Sequence, residues 1–401
     1  MPLVIWALAP GFADDAYKME LTVTIARIMF FYVIFICGSA FLSAVLNAHS
    51  RFILAAFMPV MLNIMLIGAL ISSIWYGAKY GNQGIIYVMA VTVVLSGIIQ
   101  FFILWQRIRA KHFGLRLIIP HWNTQIKNMF KRFGVSLLGS GFYQITIIVG
   151  TLVASFQSGA VSWLYYSDRI VQLPFAIIGL AVGTVLMSSI SNALAEKNMR
   201  SVHIQQNSSM RRSMMLIIPC VIGLFILAEP IIQFLFQYGE WTTESTKAVA
   251  TAIQIQCLVL PAMLISQIYS KTLYASQDVK TPVRTSMVSL GIAAIIYVSL
   301  FKLANMYGFE NLAYLSIPVG IVISGYVKNY LLGHVCRKRG LVKTDRKTVL
   351  AISAFTIIAA ALGFALKYIP MTSIWMLGIA ICGFGILYLP TAYIVDRYII
   401  K

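Results

Sequence analysis

The chain has 401 residues, of which 60% are hydrophobic and 11% are charged, and this composition excludes an ordinary soluble globular domain. Apolar runs of about 20 residues recur, and that length crosses a hydrocarbon core of about 30 Å. The formal net charge of +19 comes mainly from basic residues in short segments between these runs. This pattern favours a membrane protein that contacts anionic lipids over a nucleic-acid-binding protein. We therefore expect an all-α polytopic membrane protein with membrane lipids, and no nucleic acid, as partners.

The predicted elements follow the apolar runs in chain order. A short apolar segment at 1–9 comes first and has no basic start of the kind that secretory signals carry. About eleven full spans follow, at 21–46, 53–78, 85–106, 134–156, 161–195, 214–237, 246–275, 282–304, 310–335, 349–369 and 374–395. Prolines inside many of these spans predict kinked helices.

The distribution of Lys and Arg predicts the orientation of the chain. With alternating loops, 23 of the 31 basic residues fall on one side, five on the other and three inside spans. The richer side is cytoplasmic by the positive-inside rule, so the C-terminus faces the cytoplasm. Among the three inside spans, Lys328 lies nine residues before Arg337, and we expect its long side chain to extend to the cytoplasmic interface.

No motif in the sequence indicates catalysis or a cofactor. The five cysteines lie within spans or at their ends without CxxC spacing, and the five histidines form no HExxH or other metal-ligand pair. Walker-type glycine loops and a GxSxG motif are also absent from the sequence. The sequence therefore predicts a protein that is not an enzyme and that needs neither a metal nor a cofactor.

A weak internal repeat predicts two lobes. At an offset of 227 residues, LNAHSRFILAAF (46–57) aligns with LYASQDVKTPVR (273–284), and the span boundaries coincide as well. Internal repeats are common in secondary transporters. The first copy lacks about two and a half spans before Met1. We therefore expect either a misplaced start codon or a truncated version of a longer transporter.

The repeat and the charge pattern together predict five regions. They are an incomplete N-terminal lobe at 1–107, a basic cytoplasmic inter-lobe loop at 108–133, a six-helix C-terminal lobe at 134–336, a basic cytoplasmic loop at 337–348, and two C-terminal helices with a cytoplasmic tail at 349–401.

Eight short motifs suggest a family by their order along the chain. They are LAPGF (8–12), RIMFFY (27–32), LNAHSRF (46–52), MPVMLNI (58–64), WLYYSDRIVQLP (163–174), GLAVGTVL (179–186), FQYGEWT (236–242) and DVKTPV (278–283). The set resembles the MurJ/MviN family of lipid II flippases, within the multidrug/oligosaccharidyl-lipid/polysaccharide exporter superfamily. Phe31, Ala55 and Ser188 depart from it, since they stand where the family motifs carry proline.

The resemblance implies a fold of fourteen helices, in which two six-helix lobes rock between inward-facing and outward-facing states and two further helices follow. By that measure the chain lacks the first two helices and part of the third. The resemblance also implies a multi-pass protein of the bacterial cytoplasmic (inner) membrane.

The resemblance further implies a substrate whose diphosphate must cross the membrane, and guanidinium groups bind diphosphates best. Arg169 lies about 12 Å inside its span and matches the arginine of the family's ADR motif, so we expect it to bind the diphosphate. Asp168 cannot share a helix face with Arg169, and we expect it to hold the geometry of the site by accepting from another helix. Arg27, Arg51 and Asn47 are further candidates for the cavity. Snorkelling of Arg27 and a purely topological role for Arg51 stay open.

The predicted function is that of a lipid II flippase, which moves this peptidoglycan precursor from the cytoplasmic to the outer leaflet by alternating access. Its expected partners are lipid II (an undecaprenyl-diphosphate-linked disaccharide-peptide) and membrane lipids, with the cell-wall synthesis machinery as a further candidate. Two alternatives stay open. One is an exporter of another lipid-linked oligosaccharide or of drugs, and the other is a non-functional truncated remnant.

Overall fold

The structure is a computed structural model that describes residues 1–49, 51–110, 124, 126–127, 144–366 and 374–400. All regular secondary structure within these ranges is helical. The chain divides into two compact units, unit 1 at Met1–Lys127 and unit 2 at Asn128–Lys401. The predicted inter-lobe loop at 108–133 and the start of the predicted span at 134–156 lie mostly outside the described residues.

Unit 1 consists of a short helix and two long ones, α1 (Pro2–Leu8), α2 (Ala16–Ala48) and α3 (Phe52–Ala110). The side chain of Asp15 caps α2 by accepting a hydrogen bond from the backbone N–H of Lys18 at 3.0 Å. Within α3, Gly81 has a φ of 64° and a ψ of −177°, a conformation that favours glycine and interrupts the helix. The break separates two apolar spans, Ile53–Ile74 and Gln83–Ala110.

Close packing joins α2 to the second half of α3. A Cβ atom added at Gly97 would lie 2.6 Å from the ring of Tyr32, and one added at Gly38 would lie 2.7 Å from the ring of Phe101. Such approaches are possible only without a side chain, so these two glycines set the distance between the helices. A small apolar cluster then fills the far end of the pair, with Leu42, Leu46, Met58, Leu104 and Ile108 buried in it.

Unit 2 contains nine helices within its described residues. They are α4 (Gln144–Ala154), α5 (Ala160–Ala195), α6 (Met199–Phe236), α7 (Thr243–Gln256), α8 (Leu260–Ala275), α9 (Lys280–Met306), α10 (Ser316–Lys338), α11 (Arg346–Leu366) and α12 (Ile374–Ile400). A 3-10 turn at Cys257–Val259 joins α7 to α8, so that the two form one span. Pro261 lies in the first turn of α8, where its missing N–H leaves no hydrogen bond unmade.

The core of unit 2 forms around α6, which packs against α5, α7, α8 and α11. Its buried apolar side chains include Met214 and Ile217 of α6, Ile253 of α7, Leu260 of α8 and Phe355 of α11. α12 packs against α11 and α6. A second, smaller cluster around Tyr297 and Tyr314 joins the ends of α4, α9 and α10.

A largely buried arginine ties the last two helices to α6. The guanidinium of Arg211 is only 12% exposed, and its Nε lies 3.3 Å from Oδ1 of Asp396 in α12. Its Nη1 donates to Oγ1 of Thr348 at 3.0 Å and lies 3.8 Å from Oδ2 of Asp345. Burial raises the pKa of Asp345, but the hydrogen bonds from Thr348 and the charge of Arg211 outweigh it and hold that pKa below its ordinary value.

The predicted spans agree with the helices in nine cases. Nine helical segments among the described residues are long and apolar enough to cross a membrane, and they fall on all the predicted spans except 134–156 and 161–195. The first of these two overlaps α4, whose described part has only 11 residues. α5 matches the second nearly end to end, and its 36 residues correspond to about 54 Å of helix. The predicted all-α polytopic membrane fold is therefore confirmed.

Candidate functional site

A cavity of about 300 Å³ lies within unit 2, between α4, α5, the α7–α8 junction, α9 and α10. We call it the unit 2 cavity. Most of its wall is apolar, as expected inside a bundle of membrane-spanning helices. Among the described residues, the polar side chains in its wall are those of Thr146, Thr151, Tyr165, Asp168, Gln172, Gln256, Ser286, Ser289, Ser324 and Lys328.

Amide groups from two helices hold the carboxylate of Asp168 at the cavity wall. Gln172, one turn further along α5, donates from Nε2 to Oδ2, and Gln256 of α7 donates from Nε2 to Oδ1 at 3.0 Å. The fully buried hydroxyl of Ser167 lies 3.3 Å from Oε1 of Gln256 and orients that amide. These contacts replace part of the hydration that an ionised carboxylate loses inside a membrane protein. Asp168 therefore joins α5 to α7.

Arg169 lies on a different face of α5 from Asp168, because successive helical residues point about 100° apart. Its guanidinium is exposed on the surface of unit 2 and is not part of the cavity wall. The Cζ atom lies 4.8 Å from the ring centroid of Tyr165, one turn earlier, in a cation–π arrangement. Tyr165 is itself 56% exposed and also lines the unit 2 cavity.

The three remaining candidate residues belong to unit 1. Asn47, in the last turn of α2, and Arg51, in the turn before α3, are both exposed and lie close together in the chain. The backbone N–H of Arg51 donates to the carbonyl of Leu46 at 2.9 Å, which fixes this turn. Arg27 is also exposed, but it lies 20 residues before Asn47, or about 30 Å along α2. Unit 1 therefore presents two separate polar positions, one at Arg27 and one at the end of α2.

The structure places Lys328 differently from the sequence expectation. Its side chain is half-buried and lines the unit 2 cavity together with Asp168. Hydropathy alone cannot distinguish a lysine that extends along a helix to the interface from one that points into a bundle. The position of Lys328 within its span is the sequence feature that could have indicated a place inside the bundle. Nine residues of helix, or about 13 Å, separate it from the basic cluster at Arg337.

A second polar group lies at the end of unit 2 where α8 ends, α9 begins and α10 ends. Asp278 caps α9 by accepting from the backbone N–H of Thr281 at 3.0 Å, and Arg339, which follows α10, donates from Nη1 to its Oδ2. Burial raises the pKa of Asp278, but the hydrogen bonds from Thr281 and Arg339 outweigh it and hold that pKa below its ordinary value. This contact, the Asp278 latch, connects the α8–α9 turn to the end of α10.

Among the described residues, no group of three or more His, Cys, Asp or Glu side chains is arranged to hold a metal ion. The five cysteines are free thiols, and Cys257 and Cys336 are buried among apolar neighbours. Within the described residues, Asp168 and Lys328 line the unit 2 cavity, whereas Arg169 and Arg27 are exposed along long helices.

Comparison with known proteins gives a consistent result. The family model for the lipid II flippase MurJ matches residues 1–384. The probable lipid II flippase MurJ of Rhizobium meliloti (strain 1021) is 32% identical over 367 residues, which cover 91% of this chain and 67% of that protein. The corresponding protein of Rickettsia prowazekii (strain Madrid E) is 30% identical over 332 residues, covering 83% and 63%. The chain thus spans about two thirds of the length of these relatives.

Solved structures show the same fold. A lipid II flippase MurJ in an inward closed conformation superposes with a TM-score of 0.78 at 23% identity, covering all of this chain and 79% of that one. An inward-facing multidrug resistance transporter of the MATE family superposes with a TM-score of 0.64 at 16% identity, covering 84% and 77%. These likenesses concern the fold, whereas the family model and the relatives extend to the sequence. The chain is a multi-pass membrane protein that belongs to the lipid II flippase MurJ family.

Proposed function

We propose that the chain moves lipid II from the cytoplasmic to the outer leaflet of a bacterial inner membrane by alternating access, and that Arg169 binds the diphosphate. One observation supports the role of Arg169. Its guanidinium is exposed on a membrane-spanning helix and contacts the ring of Tyr165. Membership of the MurJ family supports the identity of the substrate.

The chemistry of lipid II explains why an arginine suits this position. The diphosphate carries negative charge that is costly to bring into the hydrocarbon, and a planar guanidinium can donate two parallel hydrogen bonds to its oxygens. The ring of Tyr165 attracts the guanidinium through its π face and carries no charge, so the contact does not neutralise Arg169. The polyprenyl tail can stay in the lipid throughout, because it gains nothing from leaving it.

We assign supporting roles to the other candidate residues. Arg51 and Asn47 lie at one end of α2. We assign this end to the cytoplasmic side by the positive-inside rule, and the two residues would meet the headgroup on entry. Arg27 lies about 30 Å away along the same helix and would meet it near the opposite side. Asp168 would maintain the α5–α7 contact behind Arg169. The C-terminus is then cytoplasmic.

Binding of lipid II by the purified chain tests this proposal. Arg169→Ala removes a charge-assisted contact worth about 1.5–3 kcal/mol, so the affinity for a fluorescent lipid II analogue is expected to fall by about 10- to 150-fold. Lys302→Ala is the matched control, since this exposed lysine of α9 is outside the candidate site, and it is expected to leave affinity unchanged.

Two outcomes would contradict the proposal. Equal affinities of the native chain and Arg169→Ala would remove Arg169 from the binding site. Failure of the folded native chain to bind lipid II, combined with binding of another lipid-linked oligosaccharide or of a drug, would favour the alternative exporter function.

A further inference from the structure

Among the described residues that line the unit 2 cavity, one is acidic and one is basic, Asp168 on α5 and Lys328 on α10. We propose that the cavity is a cation site and that its cation is a side chain of the protein, the ammonium of Lys328. The ammonium of Lys328 serves as the counter-ion of Asp168 inside the membrane, and it fills the place that an inorganic monovalent cation would otherwise take.

The oxygen atoms around the cavity favour a hard cation. Asp168 of α5 lines it, and so do three serines from other helices, Ser286 and Ser289 of α9 and Ser324 of α10. The Ser289 hydroxyl donates to the carbonyl of Ser324 at 2.9 Å, so its lone pairs remain directed away from that bond and able to accept. Carboxylate and hydroxyl oxygens are the ligands that hard cations prefer in proteins.

Lys328 is the cation that the described part of the cavity provides. Within the described residues, its ammonium makes no hydrogen bond or ion pair, although the side chain is half-buried and lines a mostly apolar cavity. An ammonium in such a position is costly unless a carboxylate or water compensates its charge. Asp168 is the carboxylate in the same cavity wall, and its fixation by Gln172 and Gln256 keeps it facing that space. The formal charges of Asp168 and Lys328 sum to zero among the described residues of the cavity wall.

A covalently attached cation has a functional consequence. An inorganic ion could leave the cavity and exchange with the solution, whereas Lys328 remains attached to α10. The stability of the native chain should therefore not depend on which monovalent cation is in the buffer. Removal of the ammonium should convert the cavity into a site for a free cation, because Asp168 and the serine oxygens remain.

The experiment measures the thermal midpoint of the purified chain in NaCl, KCl and choline chloride at constant ionic strength. The native chain is expected to give the same midpoint in all three. Lys328→Met, which keeps the length of the side chain but not its charge, is expected to lower the midpoint by roughly 5–15 °C in choline chloride. Added Na⁺ should restore part of this loss in a saturable way. Lys302→Met is the matched control and should match the native chain in every buffer.

A double variant separates pairing from general damage to the cavity. Asp168→Asn combined with Lys328→Met removes both charges, so its midpoint should lie above that of Lys328→Met in choline chloride and should not respond to Na⁺. If Lys328→Met alone yields no folded protein, recovery of folded protein in the double variant is the supporting readout.

Three results would overturn the proposal. The first is a native chain that Na⁺ stabilises saturably. The second is a Lys328→Met variant with native stability and no response to the cation. The third is a double variant that is no more stable than Lys328→Met in choline chloride or that fails to recover folding.

Discussion

Three residues within two turns of α5 have different surroundings although they are close in sequence. Asp168 faces the unit 2 cavity, Arg169 is exposed on the surface of the unit, and Tyr165 contacts both regions. The sequence predicted that Asp168 and Arg169 would face apart, since neighbouring residues of a helix cannot share a face. Helical periodicity also allows Tyr165 and Arg169 to meet, because residues four apart lie one above the other.

Tyr165 is expected to position the guanidinium rather than to bind the diphosphate. Tyr165→Ala removes the ring below Arg169, and the loss of a cation–π contact of about 0.5–1 kcal/mol should weaken the binding of the lipid II analogue by about 2- to 5-fold. Tyr165→Phe keeps the ring and should bind nearly as the native chain does. If Tyr165→Phe were as weak as Tyr165→Ala, the hydroxyl and not the ring would be the functional group.

The remaining site residues show that a sequence does not specify which side chains of different helices come into contact. Charge and depth within a span identified Arg169 and Asp168 as unusual, but the amide donors Gln172 and Gln256 come from two helices 84 residues apart in the chain. Lys328 was expected at the interface, and only the packing of α10 against α8 and α9 directs its side chain into the cavity. Such contacts depend on the rotation of each helix about its axis, which hydropathy does not determine.

At the scale of elements, apolar length predicted which helices exist better than it predicted where they end. The break at Gly81 falls in the predicted loop between spans 53–78 and 85–106. By contrast, α6 begins at Met199, 15 residues before the apolar span 214–237. The side chain of Asn198 accepts from the backbone N–H of Ser201 at 3.0 Å and starts the helix there. Backbone hydrogen bonding continues through polar residues, so hydropathy detects only the apolar part of such a helix.

The Asp278 latch yields a prediction about pH at this scale. Because the folded-state pKa of Asp278 is depressed, its contribution to stability is present above the ordinary aspartate pKa of about 4. That contribution is lost as the pH falls through the lower folded-state value. Asp278→Asn should therefore lower the thermal midpoint by about 2–4 °C at neutral pH, as expected for a weakened cap and a lost ion pair, and should flatten the fall in stability below about pH 4.

Thermal unfolding of the purified chain between pH 3 and pH 7 measures this effect. Asp14→Asn is the control, since Asp14 is exposed before α2 and is far in sequence from the latch. If the thermal midpoint of Asp278→Asn falls with decreasing pH in parallel with that of the native chain, the latch does not contribute to acid sensitivity.

At the scale of the whole molecule, the amino-acid composition and the family agree on a multi-pass membrane protein. Large apolar side chains remain exposed along the long helices, among them Ile53, Ile74, Ile177, Ile295 and Ile386. Such exposure is costly in water and favourable in lipid. The chain spans about two thirds of the length of its relatives from Rhizobium meliloti and Rickettsia prowazekii. Transport by this chain is therefore a proposal, and it can be tested directly.

Exposure of lipid II at the outer face of living cells is the most direct test of the proposed function. Cells depleted of their own flippase would express the native chain, Arg169→Ala or the control Lys302→Ala, and an externally added enzyme that cleaves lipid II would report how much has crossed. We expect cleavage with the native chain and with Lys302→Ala, and at least a tenfold reduction with Arg169→Ala. Absence of cleavage with folded, membrane-inserted native chain would contradict the proposed flippase function, and equal cleavage with Arg169→Ala would contradict the role of Arg169.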